Sequence, residues 1–255
     1  MDDALRATLI ANAGVLFEFD GTKILLDAVY GPEGHPFSNL SGAVWQAMLN
    51  STAPFEQIDY LLFTHAHPDH FSPEMTLQLL QRRRVKGIFM PDTRSVRASG
   101  LLEYLEREHM PAVLLSEKTD HAAYRVEPRI TVSAFKTRHL DKAFGRVKHF
   151  CYLLDFGGKK VLITSDADYL SEDFARLGTE ELRTVFVNPL FFNALHAGRF
   201  FHGELHTESV CVYHLPFRGE DSMHMRMRLH RDLLTWGADR PEAIVLEEPF
   251  AQAEF

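Results

Sequence analysis

The segment Phe63–Phe71, FTHAHPDHF, places His65, His67, Asp69 and His70 within six positions, directly after the apolar run Tyr60–Phe63. Four side chains that are costly to bury thus crowd the exit of a predicted buried strand. Imidazole nitrogens and a carboxylate oxygen are the donors that a divalent cation such as zinc gathers. In an extended chain, residues two apart share a face, so His65, His67 and Asp69 are expected to project together, with His70 beside them. Pro68 cannot donate to a sheet ladder and turns the segment into a loop. Three imidazoles and a carboxylate on one rim supply ligands for more than one metal ion. The alternative is a polar surface turn, and the density of donors weighs against it.

The elements around this segment must hold it rigid. VLFEF (15–19) and KILLDA (23–28) flank an Asp-Gly turn, a strong hairpin signal. A second unit of the same form follows at 151–168: CYLLDF, a Gly-Gly-Lys turn, then KVLITSDAD. Each hairpin ends in an acid, Asp27 or Asp166, which suggests a fold of two related halves. Ser72 and Pro73 are an N-cap and first-turn pair for a helix to about Arg84. KGIFMP, RITVSAFKT, TVFVNPL, VCVYHLP and EAIVLEE read as strands. SVRASGLLEYLEREH (95–109), a segment opening at Ser171 and MHMRMRLHRDLL (223–234) read as helices. In the last of these, helical spacing turns Met223, Met227 and Leu234 inward. Strands and helices intermingle without a linker, so one domain over 1–255, sheets covered by helices, is expected.

The 255 residues carry a formal charge of −8 and a 45% hydrophobic fraction. That is an ordinary globular composition and lacks the basic face of a phosphate-backbone binder, which argues against a nucleic-acid partner. The cationic run QRRRVK (81–86) suits a helix C-terminus. Two cysteines, Cys151 and Cys211, sit in apolar runs and read as buried free thiols. The acidic start does not read as a signal peptide, and no run approaches the roughly 18–20 apolar residues needed to cross a bilayer. A cytoplasmic protein with no membrane partner is the expectation.

THAHPDH matches the HxHxDH signature of the metallo-β-lactamase superfamily, and the resemblance extends over residues 8–216. NAGVLFEFDGTKILLDA is similar to the superfamily's opening hairpin, and KKVLITSDAD to its strand ending in a metal-bridging aspartate. The short opening and the insert YGPEGHPFSNLSGAVWQAMLN resemble the compact branch of ascorbate-phosphate-lactonase-like hydrolases. The resemblance implies an α+β, four-layer αβ/βα sandwich with its site at the sheet edges.

It also implies further ligands. The third ligand of a first ion should close a strand between the signature and the bridging acid; His139 does so, whereas His109 and His121 do not. The bridging carboxylate points to Asp166, preceded here by Ser165 where the family has Gly, with Asp168 as competitor. The last histidine lies among His196, His202, His206 and His214, and His214 is favoured because it ends an apolar strand. The implied sets are His65, His67 and His139 for one ion, Asp69, His70 and His214 for the other, and Asp166 between them. Two divalent ions, zinc by donor type with manganese or iron also suited, would activate a shared water as hydroxide. Asp69, beside that nucleophile, could orient it or take its proton. A small-molecule ester-like substrate is implied: a lactone, a carboxylic ester or a phosphodiester.

Alternatives are a nuclease-type phosphodiesterase, which the charge weighs against, and a metal-free binding protein on the same fold. Diiron members that reduce oxygen or nitric oxide carry Glu where this chain has His67. His35, His196 and His202 are candidates for contacting substrate. Phe191, Phe192, Phe200 and Phe201 either wall the pocket or cover the sheet as core. The resemblance also allows a homo-oligomer, and the C-terminal strand could dock on a neighbour or close its own sheet.

Overall fold

The Asp-Gly hairpin forms where the sequence places it. Strands β2 (Val15–Phe19) and β3 (Thr22–Leu26) pair antiparallel around Asp20 and Gly21, whose φ values of 49° and 77° make the left-handed turn that matches strand twist. In this computed structural model, which describes residues 3–92, 100–193, 205–237 and 240–255, a second hairpin repeats the arrangement. Its strands β9 (His149–Phe156) and β10 (Lys159–Ser165) turn at Gly157 and Gly158, with φ of 64° and 99°.

A seven-stranded sheet grows around each hairpin. The first adds β1 (Arg6–Leu9), β4 (Tyr60–Leu62), β5 (Gly87–Pro91), β6 (Ala112–Leu115) and β14 (Gln252–Glu254), in the order β14-β1-β2-β3-β4-β5-β6. The second adds β7 (His121–Glu127), β8 (Ile130–Thr137), β11 (Glu181–Val187), β12 (His206–Val212) and β13 (Glu242–Val245), in the order β7-β8-β9-β10-β11-β12-β13. Read in these directions, each sheet has three antiparallel joints and then three parallel ones. The two halves expected from the paired hairpins are therefore matched strand for strand. The C-terminal strand closes its own sheet against β1.

Alternation along the strands builds the layers. Phe17, Phe19, Leu62, Phe150, Tyr152, Ile163 and Phe186 point between the sheets into one core. Their neighbours Leu16, Leu25, Leu61 and Ile88 face outward under helices α1 (Gly42–Leu49), α2 (Pro73–Arg82) and α3 (Leu101–Arg107). Cys151, Leu162, Val185 and Val212 face outward on the other side, under α4 (Pro189–Asn193) and α5 (Met225–Leu233). The result is the expected αβ/βα sandwich. Ser72 caps α2 by accepting from the Met75 amide at 3.3 Å.

Several local expectations are corrected. Met223, Met227 and Leu234 are 39%, 66% and 87% exposed, whereas Met225 and Leu229 pack inward. The reason is register: α5 starts at Met225 after His224, whose φ is 55°, so the i, i+4 pair facing the sheet is Met225 and Leu229. The segment after Ser171 is a 3₁₀ helix over Glu172–Leu177 rather than an α-helix. Helix α3 begins only at Leu101, after Gly100 at φ 72°, and residues 93–99 of the expected helix lie outside the described residues. Within the cationic run, Arg83 does not simply face solvent, because its guanidinium donates to the carbonyls of Met48, Phe55 and Glu56. Phe191 and Phe192 belong to the outer core, the latter stacked 4.4 Å from Trp236, so they do not wall the site. Phe200 and Phe201 lie outside the described residues.

Candidate metal centre

The candidate residues converge where strands end. His65–His70 follow β4, His139 follows β8, Asp166 follows β10 and His214 follows β12. Strand β4 stops at Leu62, so the histidines stand on a loop and not on a strand face. Consequently Asp69 parts from His65 and His67, contrary to the alternation expectation. One group unites His65, His67, His139 and Asp166, and a second unites Asp69, His70 and His214, with one ligand atom from each residue within 4.8 Å of the rest of its group.

Three backbone positions aim this set. Asp27, Ser165 and His214 have φ of 44°, 48° and 60°, a left-handed conformation that non-glycine residues rarely hold. The His139 loop is tied to the Asp166 loop by Leu140 N–H to the Asp166 carbonyl and Asp168 N–H to the Arg138 carbonyl, both at 2.8 Å.

The inward atoms lie at ligand spacing. His65 Nε2 is 3.0 Å from His67 Nδ1, and His214 Nε2 is 3.0 Å from His70 Nε2. Asp166 stands between the groups: its Oδ2 is 3.8 Å from His65 Nε2, 3.7 Å from His139 Nε2 and 3.5 Å from His70 Nε2, and its Oδ1 is 3.6 Å from His214 Nε2. Asp69 Oδ2 is 3.4 Å from His70 Nε2 and 3.6 Å from His214 Nε2. His139 Nε2 is buried with no hydrogen-bond partner. Ring nitrogens gathered this closely around carboxylates, His139 Nε2 among them without a hydrogen-bond partner, fit a shared cation.

Residues behind the ligands set the tautomers. Fully buried Asp27 accepts from Thr64 N–H at 2.8 Å and from the Thr64 hydroxyl at 2.6 Å. That hydroxyl lies 3.0 Å from His65 Nδ1 and, having given its proton to Asp27, accepts the ring proton there. Asp27 Oδ2 also takes the Nδ1 proton of His70 at 3.0 Å. One carboxylate therefore leaves Nε2 of both histidines facing the site. His149, from β9, accepts the Asp166 amide proton on Nε2 at 3.2 Å while its Nδ1 meets the Thr137 hydroxyl at 2.8 Å. Asn188 donates to the Ser165 carbonyl at 2.8 Å and to Asp166 Oδ1 at 3.2 Å. The Asn12 carboxamide lies 2.7 Å from His214 Nδ1, and its oxygen is otherwise unpartnered. Turned oxygen-inward, it accepts the Nδ1 proton and frees Nε2 to bind. At His139, the Asp141 amide donates to Nδ1 at 3.0 Å, so holding an ion through Nε2 would require the ring proton to move to Nδ1 at the cost of that contact.

Charge follows the same geometry. Burial holds His65 well below the ordinary imidazole pKa and lowers His67 as well. Burial also opposes charge on His70, but Asp69 and Asp27 overcome it and push the value well above the usual range. Burial would raise Asp69 and Asp166. The histidines around each carboxylate, His70 and His214 at Asp69 and His214, His139 and His70 at Asp166, together outweigh it, so both stay below the usual carboxylate range. Without an ion, a proton on His70 supplies the positive charge that the carboxylates demand.

The remaining candidates fall elsewhere. Asp168 turns away to pair with Arg138 at 3.1 Å. His109, His121 and His206 are exposed on other elements. His35 donates its Nε2 proton to the Gly31 carbonyl at 2.8 Å and stacks 6.5 Å from Phe37; it is not among the residues that line the cavity beside the ligand groups. His196 and His202 lie outside the described residues. Sequence reasoning missed Asn12, Thr64, His149 and Asn188. It noticed Asp27 only as the acid matching Asp166.

A family model described as a beta-lactamase superfamily domain matches residues 22–211. The chain belongs to the metallo-β-lactamase superfamily. No curated protein matches it. Among solved structures, a metallo hydrolase from the archaeon Ignicoccus hospitalis is similar at TM-score 0.62 and 16% identity, over 99% of this chain and 98% of that one. An isothiocyanate hydrolase from Delia radicum gut bacteria gives TM-score 0.64 and 16% identity, over 98% and 99%. A diiron β-hydroxylase from Streptomyces venezuelae gives TM-score 0.59 and 19% identity, covering all of this chain and 54% of that one. Membership of the superfamily makes this protein a metal-dependent hydrolase with a set of candidate metal ligands. No helix among the described residues is long and apolar enough to cross a membrane.

Proposed function

We propose that this metallo-β-lactamase-like protein is a dinuclear hydrolase of a small ester-like substrate. The observation that carries the reading is Asp166, whose two carboxylate oxygens face histidines of both groups at 3.5–3.8 Å. His65, His67 and His139 would hold one ion, Asp69, His70 and His214 the other, and Asp166 both. Two divalent ions so held would lower the pKa of a shared water and polarise the substrate oxygen. The chain's own part is to place and move protons. Asp69, kept ionised by its histidine neighbours, would orient that water and accept its proton. Asp27 and His149 keep the ring and carboxylate atoms aimed inward, so little reorganisation is needed during reaction. The nitrogen-rich donor set favours zinc, with manganese or iron suited to the same cage.

The pairing of β14 with β1 supports a single domain over 1–255, since the two ends of the chain share one sheet. The 30–50 insert supports kinship with the lactonase-like branch. Two buried free thiols agree with a cytoplasmic setting. The net charge of −8 weighs against the nuclease alternative.

The test is metal content per chain in wild type, His65→Ala, Asp166→Ala and His214→Ala. Two ions in wild type with a loss in each variant is expected. No metal after reconstitution would refute the hydrolase and leave a binding protein on the same fold. Metal unchanged in His214→Ala would move the last ligand elsewhere.

A further inference from the structure

Beside the two ligand groups opens a cavity of about 170 Å³. Its floor is made of candidate ligands, among them Asp69 and Asp166. Its walls are Phe37, Leu140, Phe144, Pro189, Leu190 and Met225. Two aromatic rings flank the floor from opposite sides. Phe144 stands edge-on to His67 at 4.6 Å and to His139 at 5.4 Å, over the first group. Phe37 stands edge-on to His214 at 5.3 Å, over the second. Phe144 and Leu190 remain 44% and 49% exposed, an unusual setting for apolar side chains over so polar a floor. No Lys or Arg lines the cavity among the described residues, and its other charged lining residue is another carboxylate, Asp141. Among the described residues, a substrate anion away from the reacting group would meet apolar walls and acids, which do not replace its water.

We propose that the substrate is an uncharged carboxylic ester or lactone whose apolar acyl portion lies between Phe37 and Phe144. The inference rests on the hydrolase reading and narrows its substrate class. Water adds its oxygen to the acyl carbon, the acyl carbon–oxygen bond breaks, and the departing oxygen takes the proton first accepted by Asp69. Phe37, Phe144 and Leu190 decide specificity by what they exclude: a charge on the substrate.

Three substrates with one leaving group test this: 4-nitrophenyl butyrate, 4-nitrophenyl hemisuccinate and bis(4-nitrophenyl) phosphate. The first two differ chiefly in a remote carboxylate. The metal-loaded protein is expected to favour the butyrate over the hemisuccinate by roughly 10- to 100-fold in kcat/KM, the scale of placing like charges together. Leu190→Lys, at a half-exposed position that tolerates a long side chain, should shift that ratio toward the hemisuccinate. A second readout needs no turnover: calorimetric binding of N-phenylbutanamide and N-phenylsuccinamic acid to chelator-treated protein, where the neutral amide is expected to bind more tightly. Equal kcat/KM for butyrate and hemisuccinate, or a phosphodiester hydrolysed faster than both esters, would overturn the substrate class while leaving the hydrolase intact. Preference for the neutral amide without hydrolysis of any substrate by metal-loaded protein would refute the hydrolase and uphold the apolar, charge-excluding wall.

Discussion

Replacing Asp27 by Asn removes the hub that sets two histidine tautomers. Asp27 is fully buried and accepts three hydrogen bonds, from the Thr64 amide at 2.8 Å, the Thr64 hydroxyl at 2.6 Å and His70 Nδ1 at 3.0 Å. Asn keeps one oxygen, enough for the Thr64 amide, and puts an NH₂ where Oδ2 stood. The Thr64 hydroxyl can rotate away, but His70 can avoid a donor–donor clash only by moving its proton to Nε2. That blocks the atom facing Asp69, Asp166 and His214. Loss of such an orienting partner lowers metal affinity by about 10- to 100-fold, or roughly 1.4–2.7 kcal/mol. The loss should concentrate on the site that uses His70, with a smaller effect at His65, reached through Thr64. Competitive titration against a chromophoric chelator measures both affinities, and long-range nitrogen-15 NMR of the imidazoles reports the tautomer. Wild-type affinity at both sites, with Nε2 of His70 still unprotonated in the metal-loaded form, would refute the argument. Asp27→Ala decides less, because each buried donor left unpaired destabilises by about 1–3 kcal/mol, and three left at once threaten the fold itself.

The metal-free protein should lose stability on acidification. Burial lowers His149 to about 3 from an unfolded value of 6.5, so below pH 6.5 the unfolded chain binds a proton that the folded chain refuses until about pH 3. Stability therefore falls with pH across that window, and denaturant titrations of His149→Gln, which keeps an acceptor for the Asp166 amide, should show a shallower fall; an identical slope would remove His149 from the account. Gly14→Ala places a methyl 2.6 Å from the Ala28 side chain and 2.8 Å from its backbone, one residue from Asp27. Overpacking of this kind costs about 1–3 kcal/mol, so the melting temperature should drop and metal affinity with it; an unchanged melting curve would show that the strand gives way freely. Burial pushes the Cys151 thiol up to about 12 and raises Cys211 as well, so neither should react with a disulfide reagent until the chain is denatured. Rapid labelling of native protein would contradict that packing.

Several features were legible in the chain because they are local. Asp20-Gly21 and Gly157-Gly158 dictate tight left-handed turns wherever they stand, and period-2 apolar runs such as VLFEF leave one face for each core. HxHxDH packs its donors so densely that a cation is the natural companion, and Asp166 and His214 stand at strand ends that hold a side chain still. Resemblance then sorted the candidate ligands into two groups, a division that alternation alone does not give, since Asp69 does not share a group with His65 and His67. Helix α5 shows the limit of pattern reading: with three methionines at alternate positions, the left-handed His224 selects Met225 for the core. Only the tertiary structure decided what stands behind and above the ligands. Thr64 meets Ser165 from 101 positions away, and Asn12 meets His214 from 202. Phe37 and Phe144 reach the same cavity from loops on opposite halves. Such partners are chosen by where two sheets bring their strand ends together, and a side chain's sequence neighbours carry no record of which distant residue will complete its hydrogen bonds.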